Sequence, residues 1–176
     1  MNTPVPIRLL TRAALLCGLL LVPLTPEARG GAPHSVHVSG TGTDMLKGAI
    51  VHSKHSTPEG MIQTSTETVE LEGDVHGRVL YQVISVFDFK KGTLVNTGHQ
   101  VFSGTIAGSE PVMVHDSRFR FDVNLATGAD RGSVYLLDHI AGPHVRCSLQ
   151  VRGTGKNPEG NPTFNYSGEC AFAGGR

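Results

Sequence analysis

Nine histidines are the side chains of this 176-residue sequence best suited to binding a metal ion. Two pairs, His34/His37 and His52/His55, have the spacing of metal-ligand pairs. On a β-strand, however, residues three positions apart point to opposite faces, so neither pair can chelate an ion there. We therefore predict surface histidines and no metal site, unless folding brings distant histidines together.

Residue patterns typical of catalysis are also missing from the sequence. It contains no Gly-x-Ser-x-Gly nucleophile turn, and its glycine-rich segments at 40–43 and 153–156 do not join a strand to a helix as phosphate-binding loops do. An enzyme would need an ionisable side chain facing the interior, and the candidates are Tyr81, Tyr166 and Glu67. The sequence thus predicts no cofactor, names no catalytic residue and leaves enzymatic activity open.

A polar pair within an apolar segment is the most informative feature for ligand binding. If Phe102 faces the interior of a sheet, the two-residue period of a strand puts Asn96 and Gln100 on the same face. Buried amides need hydrogen-bond partners from the protein, from water or from a ligand. These two could be satisfied core amides, or they could orient a ligand in a mainly apolar pocket. The predicted ligand-binding residues are Asn96, Gln100, Phe102, Tyr81 and Tyr166.

β-Strands must position these side chains, because helical periodicity is nearly absent and β-branched runs alternate with Gly, Asn and Pro turns. Short connections between successive strands make neighbouring strands antiparallel. Such an all-β meander closes into a barrel of roughly eight strands or, alternatively, folds into a β-sandwich. The predicted strands are 35–40, 48–55, 61–72, 75–89, 93–106, 117–126, 132–140, 144–152 and 163–172.

The last predicted hairpin can be aligned from its own residues. A turn centred between positions 158 and 159 places Cys147 opposite Cys170. The same register pairs apolar residues of the two strands, Val145 with Phe172 and Val151 with Tyr166. One register therefore serves both a structural disulfide and the apolar face of the sheet.

The first thirty residues have the composition of a signal peptide. Arg8 and Arg12 precede an apolar run at 13–24, which is shorter than the ~20 residues of a transmembrane helix. We predict cleavage after Gly30, with an uncleaved membrane anchor as the alternative. Residues 31–176 then form a single β-barrel domain without a membrane span, secreted or exported to the periplasm. Acidic and basic residues number 15 each, which argues against a nucleic-acid partner.

Four glycine-containing segments carry a resemblance to a known family. They are VELEGDVHG at 69–77, FSGTIAG at 102–108, GTG at 153–155 and YSG at 166–168. Over roughly residues 36–172 the chain resembles the allene oxide cyclase-like barrels, which include the dirigent proteins. The resemblance implies an eight-stranded antiparallel barrel whose interior receives an apolar small molecule. The family's cyclase site residues have no match in this chain, so no catalytic role is carried over.

Together these features predict a secreted β-barrel that binds a small lipophilic ligand in its interior. Two alternatives stay open. One is a cyclase- or dirigent-like enzyme that uses the same cavity, and the other is an exported, non-catalytic domain whose barrel is filled by its own side chains. The sequence does not identify the ligand or the oligomeric state.

Overall fold

The computed structural model describes residues 32–174, so the predicted signal peptide at 1–30 lies outside the described residues. Strands make up most of this part of the chain, together with a short 3-10 helix at Leu46–Gly48. No helix within it is long and apolar enough to cross a membrane. The strands are β1 (His34–Asp44), β2 (Ile50–Ser56), β3 (Gly60–Gly73), β4 (Val75–Asp88), β5 (Thr93–Ile106), β6 (Val112–Asp116), β7 (Arg120–Asn124), β8 (Asp130–Leu136), β9 (Asp138–Ala141), β10 (Val145–Lys156) and β11 (Pro162–Phe172).

Eight of these strands close into an antiparallel barrel. Around the ring they follow the order β1, β3, β4, β5, β7, β8, β10 and β11, and β11 pairs with β1 again. The other three lie beside the ring, where β2 pairs with β3 and β6 pairs with both β5 and β9. The predicted all-β barrel is confirmed, and the sandwich alternative is wrong because the sheet closes on itself.

The strand boundaries differ from the prediction mainly around β6 to β9. The prediction omits β6 and joins β8 and β9 into one strand at 132–140. The strand predicted at 117–126 is shorter in the structure, where β7 covers Arg120–Asn124. The buried carboxylate of Asp116 holds this region, because it accepts hydrogen bonds from the Arg118 N–H at 2.6 Å and the Tyr135 N–H at 2.8 Å. These bonds fix the irregular chain between β6 and β7. Alternation of apolar residues cannot reveal such a side-chain contact.

The predicted register of the last hairpin is confirmed. β10 and β11 pair Cys147 with Cys170, and the two cysteines form a disulfide. The apolar pairs also match the prediction, Val145 with Phe172 and Val151 with Tyr166. Both cysteines are almost fully buried, so the bond joins the hairpin inside the barrel core. Closing a loop of this length stabilises the fold by about 3 kcal/mol.

Part of the barrel interior is filled by apolar side chains that are almost wholly buried. Burying one such side chain contributes about 1.5–3 kcal/mol, so this cluster supplies much of the stability of the fold. The rest of the interior is lined by side chains without being filled. The buried cluster includes Val38, Val75, Phe102, Ile106, Val112, Val114, Val145, Cys147 and Cys170.

Candidate ligand-binding cavity

The unfilled part of the barrel interior is a cavity of about 110 Å³. Its wall is mainly apolar, because every second side chain of a strand points inward and most of these inward side chains are apolar. An apolar cavity of about 150 Å³ can hold benzene, so this space suits about one aromatic ring or a short alkyl chain. The apolar lining residues are Val69, Leu71, Val79, Phe121, Val123, Val134, Leu136, Leu149, Val151, Pro162 and Phe164.

Two of the lining aromatic rings lie against glycines on neighbouring strands. Phe164 on β11 pairs with Gly42 on β1, and Phe121 on β7 pairs with Gly132 on β8. A Cβ added to Gly42 would lie 2.1 Å from the Phe164 ring, and one added to Gly132 would lie 2.1 Å from the Phe121 ring. Each ring therefore covers its glycine on the barrel wall, which keeps the middle of the interior open.

The structure places four of the five predicted ligand-binding residues on the cavity wall, namely Tyr81, Asn96, Gln100 and Tyr166. Phe102 is fully buried in the apolar cluster and does not line the cavity. Strand alternation can show that Phe102 faces inward, but it cannot show whether the space beside the ring is filled. A ligand-binding role for these residues stays a prediction.

Tyr166 uses its hydroxyl group to join β11 to the turn between β3 and β4. The hydroxyl oxygen accepts a hydrogen bond from the Val75 N–H at 2.7 Å. The hydroxyl hydrogen faces two carbonyl oxygens, that of Val75 at 3.0 Å and that of Glu72 at 3.1 Å. Burial raises the pKa of Tyr166, so the hydroxyl stays protonated. The ring of Tyr166 is part of the cavity wall, while its polar group is engaged by the backbone.

A row of four polar side chains crosses β3, β4, β5 and β6. Glu67, Tyr81, Gln100 and Asp116 are successive partners in the strand register. The Tyr81 hydroxyl donates to Glu67 Oε2 at 2.8 Å, and Gln100 Nε2 donates to Asp116 Oδ2 at 2.9 Å. Burial raises the pKa of Tyr81, as do the carboxylates of Asp44 and Glu67, so this hydroxyl is a neutral donor.

Two carboxylates that the sequence analysis did not select complete the polar part of the wall. Asp44 is the last residue of β1 and Asp130 is the first of β8, and both line the cavity. The Tyr81 hydroxyl lies 3.0 Å from Asp44 Oδ2. Both carboxylates lie where the sequence predicts turns or loops. Only an extension of the strand alternation to positions 44 and 130 would have placed them inside.

The pKa values of both carboxyl groups are raised. Burial raises the pKa of Asp44 to about 7, and the Glu67 and Asp130 carboxylates contribute to the increase. Burial also raises the pKa of Asp130, although a hydrogen bond from the Gly153 N–H acts in the opposite direction. Near neutral pH, Asp44 is therefore divided between its protonated and ionised forms.

The cavity wall offers more hydrogen-bond acceptors than donors. Three side-chain oxygens, the Oδ1 atoms of Asp44, Asn96 and Asp130, are buried without a hydrogen-bond partner among the described residues. All three residues line the cavity, and no Lys, Arg or His of residues 32–174 does so. The Tyr81 hydroxyl and the Gln100 amide already donate to neighbouring carboxylates, and the Tyr166 hydroxyl is bonded to the backbone, so Asn96 Nδ2 is the remaining side-chain donor of the described wall.

The histidines include one pair that is distant in sequence but close in the fold. His115 Nε2 lies 3.4 Å from His99 Nδ1, and His115 Nδ1 lies 3.2 Å from Asp138 Oδ2. His37 and His52 instead contact Glu169 and Thr66. In the part of the chain that the structure describes, no group of three or more His, Cys, Asp or Glu side chains could hold a metal ion.

Comparisons with known protein families, with curated proteins and with solved structures find no match for this chain. The chemistry of the cavity wall is therefore what indicates a function.

Proposed function

We propose that the barrel binds a small, mainly apolar ligand in its cavity. The observation that carries this proposal is a closed barrel whose interior is filled in one part and open in another. The open part combines eleven apolar residues with a few polar groups around about 110 Å³. Small-molecule sites typically have this composition, because the apolar wall supplies affinity and the polar groups fix orientation.

The polar residues of the wall have different roles in this proposal. Asn96 and Gln100 lie on one strand and present amides to the cavity, where they orient the ligand. Tyr81 supplies its ring and a hydroxyl that is shared with two carboxylates. Tyr166 contributes its ring alone, because its hydroxyl is bonded to the backbone.

We also propose that the protein acts outside the cytoplasm. The Cys147–Cys170 disulfide supports this, because such bonds persist in oxidising compartments and are rare in the cytosol. The predicted signal peptide at 1–30 and the resemblance to the allene oxide cyclase-like barrels agree with an exported ligand-binding barrel. The measurement that tests export is the N-terminal sequence of the protein recovered from its own host, which we expect to begin near residue 31.

Catalysis in the same cavity is a second candidate function. It is favoured by Asp44, whose pKa of about 7 suits proton transfer at neutral pH and which contacts the Tyr81 hydroxyl. The Asp44→Asn variant separates the two functions. If the protein is an enzyme, the wild type converts its substrate and the Asp44→Asn variant binds the substrate without converting it. If it is a binding protein, the ligand stays chemically unchanged with both the wild type and the variant.

The cavity itself is tested by filling it. Val134 lines the cavity, and Val86 is exposed on the outer face of β4, so Val134→Phe and Val86→Phe make the same substitution inside and outside the barrel. Native mass spectrometry of the protein from its own host, and NMR titration with benzyl alcohol, report ligand binding. We expect a bound small molecule with the wild type and with Val86→Phe, and loss of binding with Val134→Phe.

Two results would overturn the proposal. One is a wild-type protein that carries no small molecule and shows no benzyl alcohol shifts at cavity residues. The other is equal binding by the Val134→Phe and wild-type proteins, which would place the ligand outside the barrel.

A further inference from the structure

The polar part of the cavity wall contains acceptors whose partners are absent from the described residues. The Oδ1 atoms of Asp44, Asn96 and Asp130 are all buried, and none receives a hydrogen bond. A buried polar atom without a partner is destabilising, so native proteins rarely keep several in one place. All three residues also line the cavity, so a ligand that brings N–H donors against them would offset part of this cost.

The electrostatic surroundings of Asp44 are also negative. The groups that face it are Glu67 from β3, Tyr81 from β4 and Asp130 from β8. Two of these three are carboxyl groups, and the third is a neutral hydroxyl. Because no basic side chain of the described residues lines the cavity, the carboxylates have no counterion from the wall. Partly buried carboxylates without a positive partner are destabilising, and a cation at this position would offset that cost.

Two aromatic residues of the cavity wall suit an organic cation, and the hydroxyl of one of them, Tyr81, contacts Asp44. Tyr81 and Phe121 line the cavity and both contact the buried ring of Phe119, with ring centroids 6.0 and 5.9 Å apart. A cation near an aromatic face is attracted by the negative potential of the ring's π electrons. An inorganic divalent ion fits less well, because the described residues hold no group of three His, Cys, Asp or Glu side chains that could ligate a metal.

We infer that the ligand is a small amine, whose positively charged ammonium group lies against Asp44, Asp130 and Asn96 while its apolar body occupies the remaining wall. This inference rests on the proposed binding function. The volume of about 110 Å³ limits the apolar body to about one aromatic ring or a short alkyl chain. The raised pKa of Asp44 agrees with a carboxyl group that lacks a cationic partner when the cavity holds no ligand.

Three probes of equal size and different charge test the inference at pH 8, where Asp44 is mostly ionised. They are benzylamine, benzyl alcohol and benzoate, titrated by calorimetry and by NMR. We expect benzylamine to bind at least about tenfold more tightly than benzyl alcohol, and benzoate to bind most weakly. Asp44→Asn and Asp130→Asn should each weaken benzylamine binding by about tenfold while changing benzyl alcohol binding less than about twofold.

A matched control is Glu159→Gln, which removes one negative charge from an exposed loop position and should leave all three affinities unchanged. Equal affinity of benzylamine and benzyl alcohol would overturn the amine inference and leave the binding function intact. Failure of all three probes to bind would overturn both. The remaining arm titrates calcium chloride into the protein that holds benzylamine. Displacement of benzylamine by Ca²⁺, with the same sensitivity to Asp44→Asn, would overturn the amine inference by assigning the site to an inorganic ion.

Discussion

The charge on Asp44 should make the protein less stable as the pH rises, and Asp44→Asn should remove this effect. The pKa of Asp44 is raised from 3.8 to about 7, chiefly by burial. Between these values the folded protein keeps a proton that the unfolded chain has released. Ionisation of Asp44 therefore does not affect the free energy of unfolding below about pH 4. It lowers that free energy progressively between about pH 4 and 7, and by a constant amount above about pH 7.

The size of the effect follows from the shift. About three pKa units at about 1.4 kcal/mol each give a ceiling of about 4 kcal/mol at pH 8. Asp44 is partly exposed, so relaxation and water reduce the cost, and we expect a difference of about 1–3 kcal/mol. Asparagine has nearly the same shape, and its amide oxygen can still accept the hydrogen bond of the Tyr81 hydroxyl.

Urea unfolding followed by circular dichroism at pH 4 and pH 8 measures this difference, with the disulfide kept oxidised. We expect Asp44→Asn to be more stable than the wild type at pH 8 and similar to it at pH 4. Glu159→Gln is the control, because a substitution at an exposed position changes stability by less than about 0.5 kcal/mol. Equal stability of Asp44→Asn and the wild type at pH 8, or a gain of the same size at pH 4, would refute the reasoning.

Three other predictions follow from the same contacts. Tyr166→Phe leaves the Val75 N–H without its buried partner and should destabilise the fold by about 1–3 kcal/mol, measured by urea unfolding. Replacing Cys147 and Cys170 together by alanine should lower the free energy of unfolding by about 3 kcal/mol. Reduction of the disulfide in the wild type should lower it by a similar amount. Benzylamine affinity should increase by about tenfold in total between pH 5 and 8, the same factor that Asp44→Asn removes, because Asp44 must release its proton, and a flat profile in calorimetry would contradict this.

The fold could be predicted from the sequence because local signals agreed with one another. Alternating apolar residues indicated the strands, and the two cysteines required the same register as the apolar pairs of the last hairpin. The pattern failed at β6, a strand of only five residues whose end is held by the side chain of Asp116. A contact between a carboxylate and backbone groups distant in sequence leaves no periodic trace.

The candidate site could be predicted only where it lies within regular strands. Asn96 and Gln100 are in the middle of a long strand, so the two-residue period shows that they share a face. Asp44 and Asp130 lie at strand ends next to turns, where the direction of a side chain depends on where pairing stops. The two carboxylates of the site were therefore missed, although carboxylates are the residue types that carry charge there.

The cavity depends on a pairing of glycine with an aromatic residue, and Gly132→Ala tests this origin. Because a Cβ at position 132 would lie 2.1 Å from the Phe121 ring and 2.8 Å from the Arg120 carbonyl oxygen, the backbone must shift and the ring must leave its place on the wall, where the cavity is free volume for it. We expect this variant to bind benzyl alcohol more weakly and to lose about 1–3 kcal/mol of stability by overpacking. Gly48→Ala is the matched control, since a Cβ there meets no atom within 4 Å. If Gly132→Ala binds benzyl alcohol like the wild type, the cavity does not depend on the Phe121 ring being held over Gly132.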